Sequence, residues 1–477
     1  MIYDEMYIYM FPFEKIEKNE TVIIYGAGNV GQSFYSQIKK TNYCKVICFI
    51  DENYMNQQGV FDVPVMSPEY IGKIKFDKII IAINSEIMLD KIKKDIQKKY
   101  DIDIGKIVDG ANREFKLHMF APVVAPERIK DEDIQLAFCL SGGLGDCIIA
   151  KKIISAILSK INIKKKVTIY GNYKNKKFIE TVFMNTTFVF NYAGYKSYIA
   201  ASSNYDISID VGYFLTITYI NIHTIRKKSE ALSKWFMKFN ESINNYGLID
   251  NHGRENSIHF ARCRLNKLNA YTSCTYDGCI DIYDSMVDIQ LKDEYKNKFE
   301  SLDLKGKYMT INYGCGIEMH VNGKEPHKIW PRNYYMKLIE LIRNSFPEYL
   351  IVQVGGNGNW KLRGCDRIFL NVDLELTKYI LKNSSLHIDS EGGLVHLATQ
   401  LGTKCIVMFG PTPMHFFGYD NNINIAAGCC HDCYYLNDDF SICIRGLSKP
   451  ECMYSIMPEF VISKIKEYFK TVGDWVD

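Results

Sequence analysis

A chain of 477 residues with 47% hydrophobic and 24% charged residues carries enough apolar material for about three separate cores. Its formal charge of +3, from 58 basic and 55 acidic side chains, excludes the strong basic field of a nucleic-acid-binding protein. No apolar run is long enough to span a bilayer, and the opening M-I-Y-D-E-M-Y has acids where a secretory leader has basic residues, so a cytoplasmic location is expected. In that reducing setting the 15 cysteines are expected as thiols or metal ligands rather than disulfides. Short basic runs such as Lys164–Lys166 and Arg226–Lys228 read first as solvated faces and leave peripheral membrane association open.

The first element is T-V-I-I-Y-G-A-G-N-V-G at Thr21–Gly31, an apolar strand running into Gly26, Gly28 and Gly31. A helix is predicted from about Gln32 to Lys40, then a strand K-V-I-C-F-I ending at Asp51, twenty residues beyond Gly31. That spacing lets a dinucleotide fold seat phosphate on the helix N-terminus and a ribose hydroxyl on the acid. With the strand F-D-K-I-I-I-A-I-N, the pattern describes a small α/β Rossmann-like unit over residues 1–115. It reads either as an accessory nucleotide-binding domain or as an assembly module that binds nothing. No Tyr-Lys pair for hydride transfer accompanies it.

A linker is expected over 116–135, where Pro122 and Pro126 precede a charged cluster. A second strand, Leu136–Leu140, then runs into Ser141, Gly142, Gly143 and Gly145, with Asp146 at the mouth of a helix whose apolar face is Ile149, Ile153, Ala156 and Leu158. A carboxylate there either takes the proton of an attacking hydroxyl or caps the helix. Strands at Val167–Tyr170 and Tyr205–Val211 and helices near Lys228–Phe239 and Phe260–Asn269 fill out a domain over 136–305.

The third unit, 306–477, opens with K-Y-M-T-I-N-Y-G-C-G, a strand into a turn at Gly314. H-K-I-W-P-R follows, in which Lys328 stands beside Trp330 as either a surface lysine or a functional cation, and Pro331 can start a helix. Y-L-I-V-Q-V-G-G-N ends a strand at Gly355 and Gly356. From Leu386 to Thr412 the chain reads strand, acidic glycine turn, helix and strand, setting Asp389, Glu391, Gly392 and Gly393 where open α/β sheets hold ligands. His396 lies one turn into that helix, facing either the ligand or the core. Beyond it, Cys430, Cys433, Cys443 and Cys452, with Cys429 and His431 in reserve, read either as the four thiolates of a structural Zn or Fe site or as buried free thiols.

Four of these segments, G-L-G-D, K-I-W-P, E-G-G-L-V-H-L-A and F-G-P-T, occur in this order between residue 136 and about residue 460. Together they resemble the motifs of glycosyltransferase family 9, the ADP-heptose heptosyltransferases. The resemblance implies a GT-B enzyme of two Rossmann-like domains, here preceded by a third, with no catalytic metal. It implies transfer of a heptose or related sugar from a nucleotide-diphosphate donor, ADP-linked, with inversion, to a glycan or protein hydroxyl. It makes Asp146 the base and Lys328 the stabiliser of the leaving diphosphate. Donor contacts fall to Gly143, Gly145, Gly314, Gly355, Gly356, Asp389, Glu391, Gly392, Gly393, His396 and Thr412, with Glu391 standing where the family usually has Asp. The cysteine segment is similar to the iron-binding finger of the bacterial autotransporter heptosyltransferases, a branch of the same family, which implies a bracing or oligomer-contact role. The first unit resembles nucleotide-binding modules attached to sugar-modifying enzymes. Two other classes compete: an oxidoreductase or epimerase led by the first glycine motif, and a non-catalytic scaffold of the same fold.

Overall fold

The structure is a computed structural model that describes residues 9, 11–57, 62–83, 86–110, 133–246, 253–304, 306–315, 324–436 and 440–473. The chain divides into compact units of residues 1–118 and 119–477. Most of the linker expected over 116–135 lies outside the described residues.

In the first unit, β-branched runs make the strands β1 (Thr21–Tyr25), β2 (Lys45–Ile50), β3 (Val65–Met66), β4 (Lys78–Ile81) and β5 (Ile107–Asp109). They form one parallel sheet in the order β3-β2-β1-β4-β5. Helix α1 (Asn29–Thr41) buries Val30, Phe34 and Ile38, a spacing of four that keeps one face on the sheet. Helix α2 (Glu86–Tyr100) covers the other face through Leu89, Ile92 and Ile96. The sequence places the start of α1 three residues late, because Asn29 to Gly31 already wind helically behind Gly28.

The second unit holds two sheets. Strands β6 (Ile134–Leu140), β7 (Lys165–Tyr170), β8 (Val189–Asn191), β9 (Ile207–Val211) and β10 (Leu215–Ile220) run β10-β9-β6-β7-β8, parallel except for β10. Strands β11 (Tyr308–Asn312), β12 (Leu350–Gly355), β13 (Arg367–Leu370), β14 (Leu386–Ser390), β15 (Cys405–Phe409) and β16 (Ile423–Ala426) form an all-parallel sheet in the order β13-β12-β11-β14-β15-β16. Its central strands β11, β14 and β15 are buried from end to end, β15 being apolar throughout while β11 and β14 carry polar side chains inside the sheet. In each of the three sheets the order reverses beside the strand that opens it, β1, β6 or β11. The turns after β1, β6 and β14 therefore lie at the crevices where such sheets take ligands.

The two halves of this unit share one apolar core, built by α3 (Leu144–Ser159) and the helix Gly393–Gln400 together with residues from both sheets. They are also joined by the buried ammonium of Lys378. Lys378 Nζ, with no exposed side-chain surface, bonds both oxygens of Glu375 at 3.0 Å and reaches the carbonyls of Thr181 at 3.3 Å and Gln290 at 2.8 Å. No helix among the described residues is long and apolar enough to cross a membrane.

Candidate active site

The site is built where two helix N-termini meet. α3 begins after Gly143, and the helix Gly393–Gln400 begins after Gly392. Their glycines are required by this contact. A Cβ on Gly145 would stand 2.5 Å from Cδ2 of His396, and one on Gly393 would stand 3.1 Å from Cβ of Leu144. Gly145→Ala is therefore expected to cost about 1–3 kcal/mol of stability, as overpacking does. It should also displace His396, read as a lowered Tm together with reduced turnover.

Asp146 is the third residue of α3. Its Oδ2 accepts the Gly143 N–H at 2.7 Å, so the carboxylate caps the helix and is fixed in orientation by doing so. The cap leaves Asp146 lining a cavity of about 170 Å³ with Ser141, Gly142, Ile149, Val211, Gly212 and Tyr213. Burial raises its carboxyl above the ordinary range and the charge of Glu391 adds to this, against the Gly143 N–H, His396 and Lys328.

Lys328 and Glu391, 63 residues apart in sequence, form an ion pair of 2.9 Å. Burial on its own would raise the Glu391 carboxyl, yet Lys328 and then His396 hold it down at about 2. Burial likewise opposes the charge on Lys328, and the Glu391 carboxylate outweighs it. The Lys328 ammonium also lies 5.2 Å from the ring centroid of Tyr434. His396 Nε2 is 3.6 Å from Glu391 Oε1, and its Nδ1 meets the Tyr419 hydroxyl at 2.6 Å.

Tyrosines absent from any motif complete the enclosure. The hydroxyls of Tyr213, after β9, and Tyr435, in the cysteine-rich segment, meet at 2.7 Å. Burial drives both well above the usual tyrosine range, with further contributions from Asp146 and Glu391. Their only trace in the sequence is the Y-Y that follows Cys433.

Other expected donor contacts are placed differently. Asp389 is 2% exposed and turned inward, accepting from Asn312 Nδ2 at 2.9 Å and standing 3.6 Å from His387 Nε2. Asp389, Asn312 and His387 thus form a polar seam inside the sheet. Thr412 is buried as well. Gly314 and Gly355 leave room for the side chain of Asn359, which donates to the Tyr313 carbonyl at 2.6 Å, and Gly356 borders the same side chain. Residues 316–323, between Gly314 and Lys328, lie outside the described residues.

In the first unit Gly26 has a left-handed φ of 106°, and a Cβ on Gly31 would stand 2.0 Å from the Gly26 carbonyl, so the turn demands both. Gly28 faces open space. Asp51 accepts the N–H of Ala27 on one oxygen and of Asn53 on the other, each at 2.8 Å, so its first task is to close the glycine turn.

All fifteen cysteines are free thiols. Among the described residues no three or more His, Cys, Asp or Glu stand in metal-ligating geometry. The four expected ligands are nevertheless neighbours. Burial raises Cys433 to about 11 with help from Cys443 and Cys430, and Cys452 to about 12 with help from Cys430 and Cys433. A thiol set that destabilises its own negative charge in this way has the chemistry a divalent cation relieves. Cys429 is exposed and lies 3.7 Å from the Ser455 hydroxyl.

A family model described as C2185-like, N-terminal, matches residues 18–108, the first unit. Lipopolysaccharide heptosyltransferase 1 of Campylobacter coli is 28% identical over 205 residues, covering 38% of this chain and 59% of that protein. Among solved structures, ADP-heptose LPS heptosyltransferase II of E. coli aligns at 11% identity over 71% of this chain and 100% of its own, with a TM-score of 0.41. The iron-containing dodecameric glycosyltransferase TibC of enterotoxigenic E. coli aligns at 14% identity over 72% and 79%, with a TM-score of 0.47. A glycosyl transferase family 9 protein of Veillonella parvula aligns at 13% identity over 72% and 99%, with a TM-score of 0.42. The chain is thus similar to the heptosyltransferases of glycosyltransferase family 9, the family its four ordered motifs resemble.

Proposed function

We propose that the chain is an inverting glycosyltransferase that moves a heptose or related sugar from an ADP-linked donor to a hydroxyl of a surface glycan or protein. The observation that carries this reading is the meeting of Asp146 with the Lys328–Glu391 pair at two opposed helix N-termini. A base must stand beside the acceptor oxygen, and cationic charge beside the leaving diphosphate. Asp146, with its raised carboxyl, takes the hydroxyl proton as that oxygen bonds to the anomeric carbon from the face opposite the diphosphate. The anomeric C–O bond breaks, and its electron pair goes to the departing phosphate. Lys328 stabilises that charge, aided by the N–H groups at the start of the Gly393–Gln400 helix. Glu391 holds Lys328 in place until the diphosphate arrives.

Calorimetry of the full chain against a panel of nucleotides and nucleotide sugars tests this. An ADP-linked sugar should bind, and Glu391→Ala should weaken the binding. Binding of a nicotinamide dinucleotide alone would overturn the reading. We further propose that the first unit holds a nucleotide phosphate beside Gly28 as an accessory module. We also propose the cytoplasm as the location of the transfer, with the membrane's inner face and a homo-oligomer as candidate settings.

For the cysteine segment we propose that Cys430, Cys433, Cys443 and Cys452 hold a structural Zn or Fe that braces the loop carrying Tyr435. Metal analysis of the protein should return a stoichiometric amount, lost in Cys433→Ser/Cys443→Ser. The lowered Tm of that variant should be unaffected by chelator, whereas chelator should lower the Tm of the parent.

A further inference from the structure

His396 is the end of a hydrogen-bonded chain whose direction the structure fixes. The chain starts at Gln400, on the same helix. Gln400 Oε1 accepts the Val287 N–H at 2.6 Å, and its Nε2 donates to the Ser285 carbonyl at 2.9 Å. Two backbone groups of opposite polarity thus determine which end of the amide is which. The remaining N–H of Gln400 points at two hydroxyls, Tyr271 at 3.2 Å and Tyr419 at 3.4 Å. Those hydroxyls meet at 2.5 Å, and Tyr419 meets His396 Nδ1 at 2.6 Å. All of these side chains are buried.

Each hydroxyl has a single hydrogen. If His396 Nδ1 carried a proton, it would donate to Tyr419, and Tyr419 would donate to Tyr271. The Tyr271 hydrogen would then face only Gln400 Nε2, itself a donor, and would be buried without an acceptor. Such a group costs about 1–3 kcal/mol. The opposite direction satisfies every atom: Gln400 donates to Tyr271, Tyr271 to Tyr419, and Tyr419 to an unprotonated Nδ1. The ring proton then resides on Nε2. That nitrogen is 3.6 Å from Glu391 Oε1, and a Cβ on Gly145, the residue before Asp146, would stand 3.1 Å from it. Around the ring stand Asp146 from α3, Glu391 from the turn after β14, Lys328 beyond Glu391, Tyr419 and the Phe417 ring.

We propose that Gln400, Tyr271 and Tyr419 are positioning residues that hold His396 as the Nε2–H tautomer, a fixed hydrogen-bond donor aimed at the carboxylates of the active site. His396 then stabilises negative charge there and does not compete with Asp146 for the acceptor's proton. The functional part rests on the transferase reading above. The tautomer is a property of the free chain and stands or falls without it.

Long-range proton–nitrogen correlation spectra of the full chain, with ¹⁵N-labelled histidine, read the tautomer directly. His396 is assigned as the ring missing from His396→Gln among the ten histidines. The expected pattern is a protonated Nε2 with an unprotonated, hydrogen-bonded Nδ1. In Gln400→Glu the directing N–H is gone, Tyr271 gains an acceptor, and the Nδ1–H form should gain population. In Tyr419→Phe the hydrogen-bond shift of Nδ1 should be lost. A parent spectrum dominated by Nδ1–H, or a Gln400→Glu spectrum unchanged from the parent, would overturn the proposal. If either variant fails to fold, the parent spectrum and the remaining variant still decide it. A correct tautomer in a protein that binds no nucleotide sugar would sink the transferase reading alone.

Discussion

Replacing Asp146 by Asn is expected to lower the transfer rate by about 10²–10⁴-fold, the range for loss of a general base, while leaving donor affinity nearly unchanged. Asn keeps the size of the side chain, and its amide oxygen can still accept the Gly143 N–H, so the cap on α3 survives. The parent should show an acidic limb in kcat/KM above the ordinary carboxylate range. Burial raises the folded pKa of Asp146, and the base works only when ionised, so activity falls as pH drops through that raised value. The limb should be absent from the residual activity of the Asn variant. Initial rates across pH, with calorimetric donor affinity at one pH, check both statements. A parent and variant with superimposable pH profiles would remove Asp146 from the chemistry.

Lys328→Ala should have the largest combined effect. It strands Glu391, 9% exposed, as a buried carboxylate without its cation, and breaking such a pair costs about 3–5 kcal/mol. The folded-state value of Glu391, about 2 against an ordinary 4.5, sets the sign of the pH dependence. The pair's contribution is fully present above pH 4.5 and is lost as pH falls toward 2. Thermal melts at neutral pH should therefore show a large drop for Lys328→Ala and a smaller one for the double variant Lys328→Met/Glu391→Leu, which buries no charge. Turnover should be lost in both, because neither supplies a cation for the leaving diphosphate. Recovery of stability and activity together in the double variant would reduce Lys328 to a structural role.

The parts of this molecule legible in its sequence were those governed by short-range rules. Largely apolar runs followed by glycine turns located β1, β6 and β11, and a strand and an acidic turn located β14, because a parallel strand buried on both faces is mostly apolar. Asp146 and Lys328 stood out for the same reason, each a charge fixed to a strand-to-helix turn or a helix start. What lay beyond reach was partnership across the fold. That Glu391 would hold Lys328, that Asp389 two residues earlier would turn inward to Asn312, and that Tyr213 and Tyr435 would meet over 222 residues are consequences of how the two sheets face each other. Local spacing contains no information about that facing. Gly145 is the instructive case. The family resemblance makes it a donor contact, and in the fold it makes room for the ring of His396.

The ammonium of Lys378 has a mechanical consequence. It is held by two carboxylate oxygens of its own helix and by carbonyls from two segments of the opposite half, with no exposed side-chain surface. Separating the halves at that point would strip a buried cation of several partners at once. Apolar contacts elsewhere along the boundary lose only area as they part. Lys378 therefore pins the two halves together through charge as well as area, since parting them there would leave a buried cation short of partners.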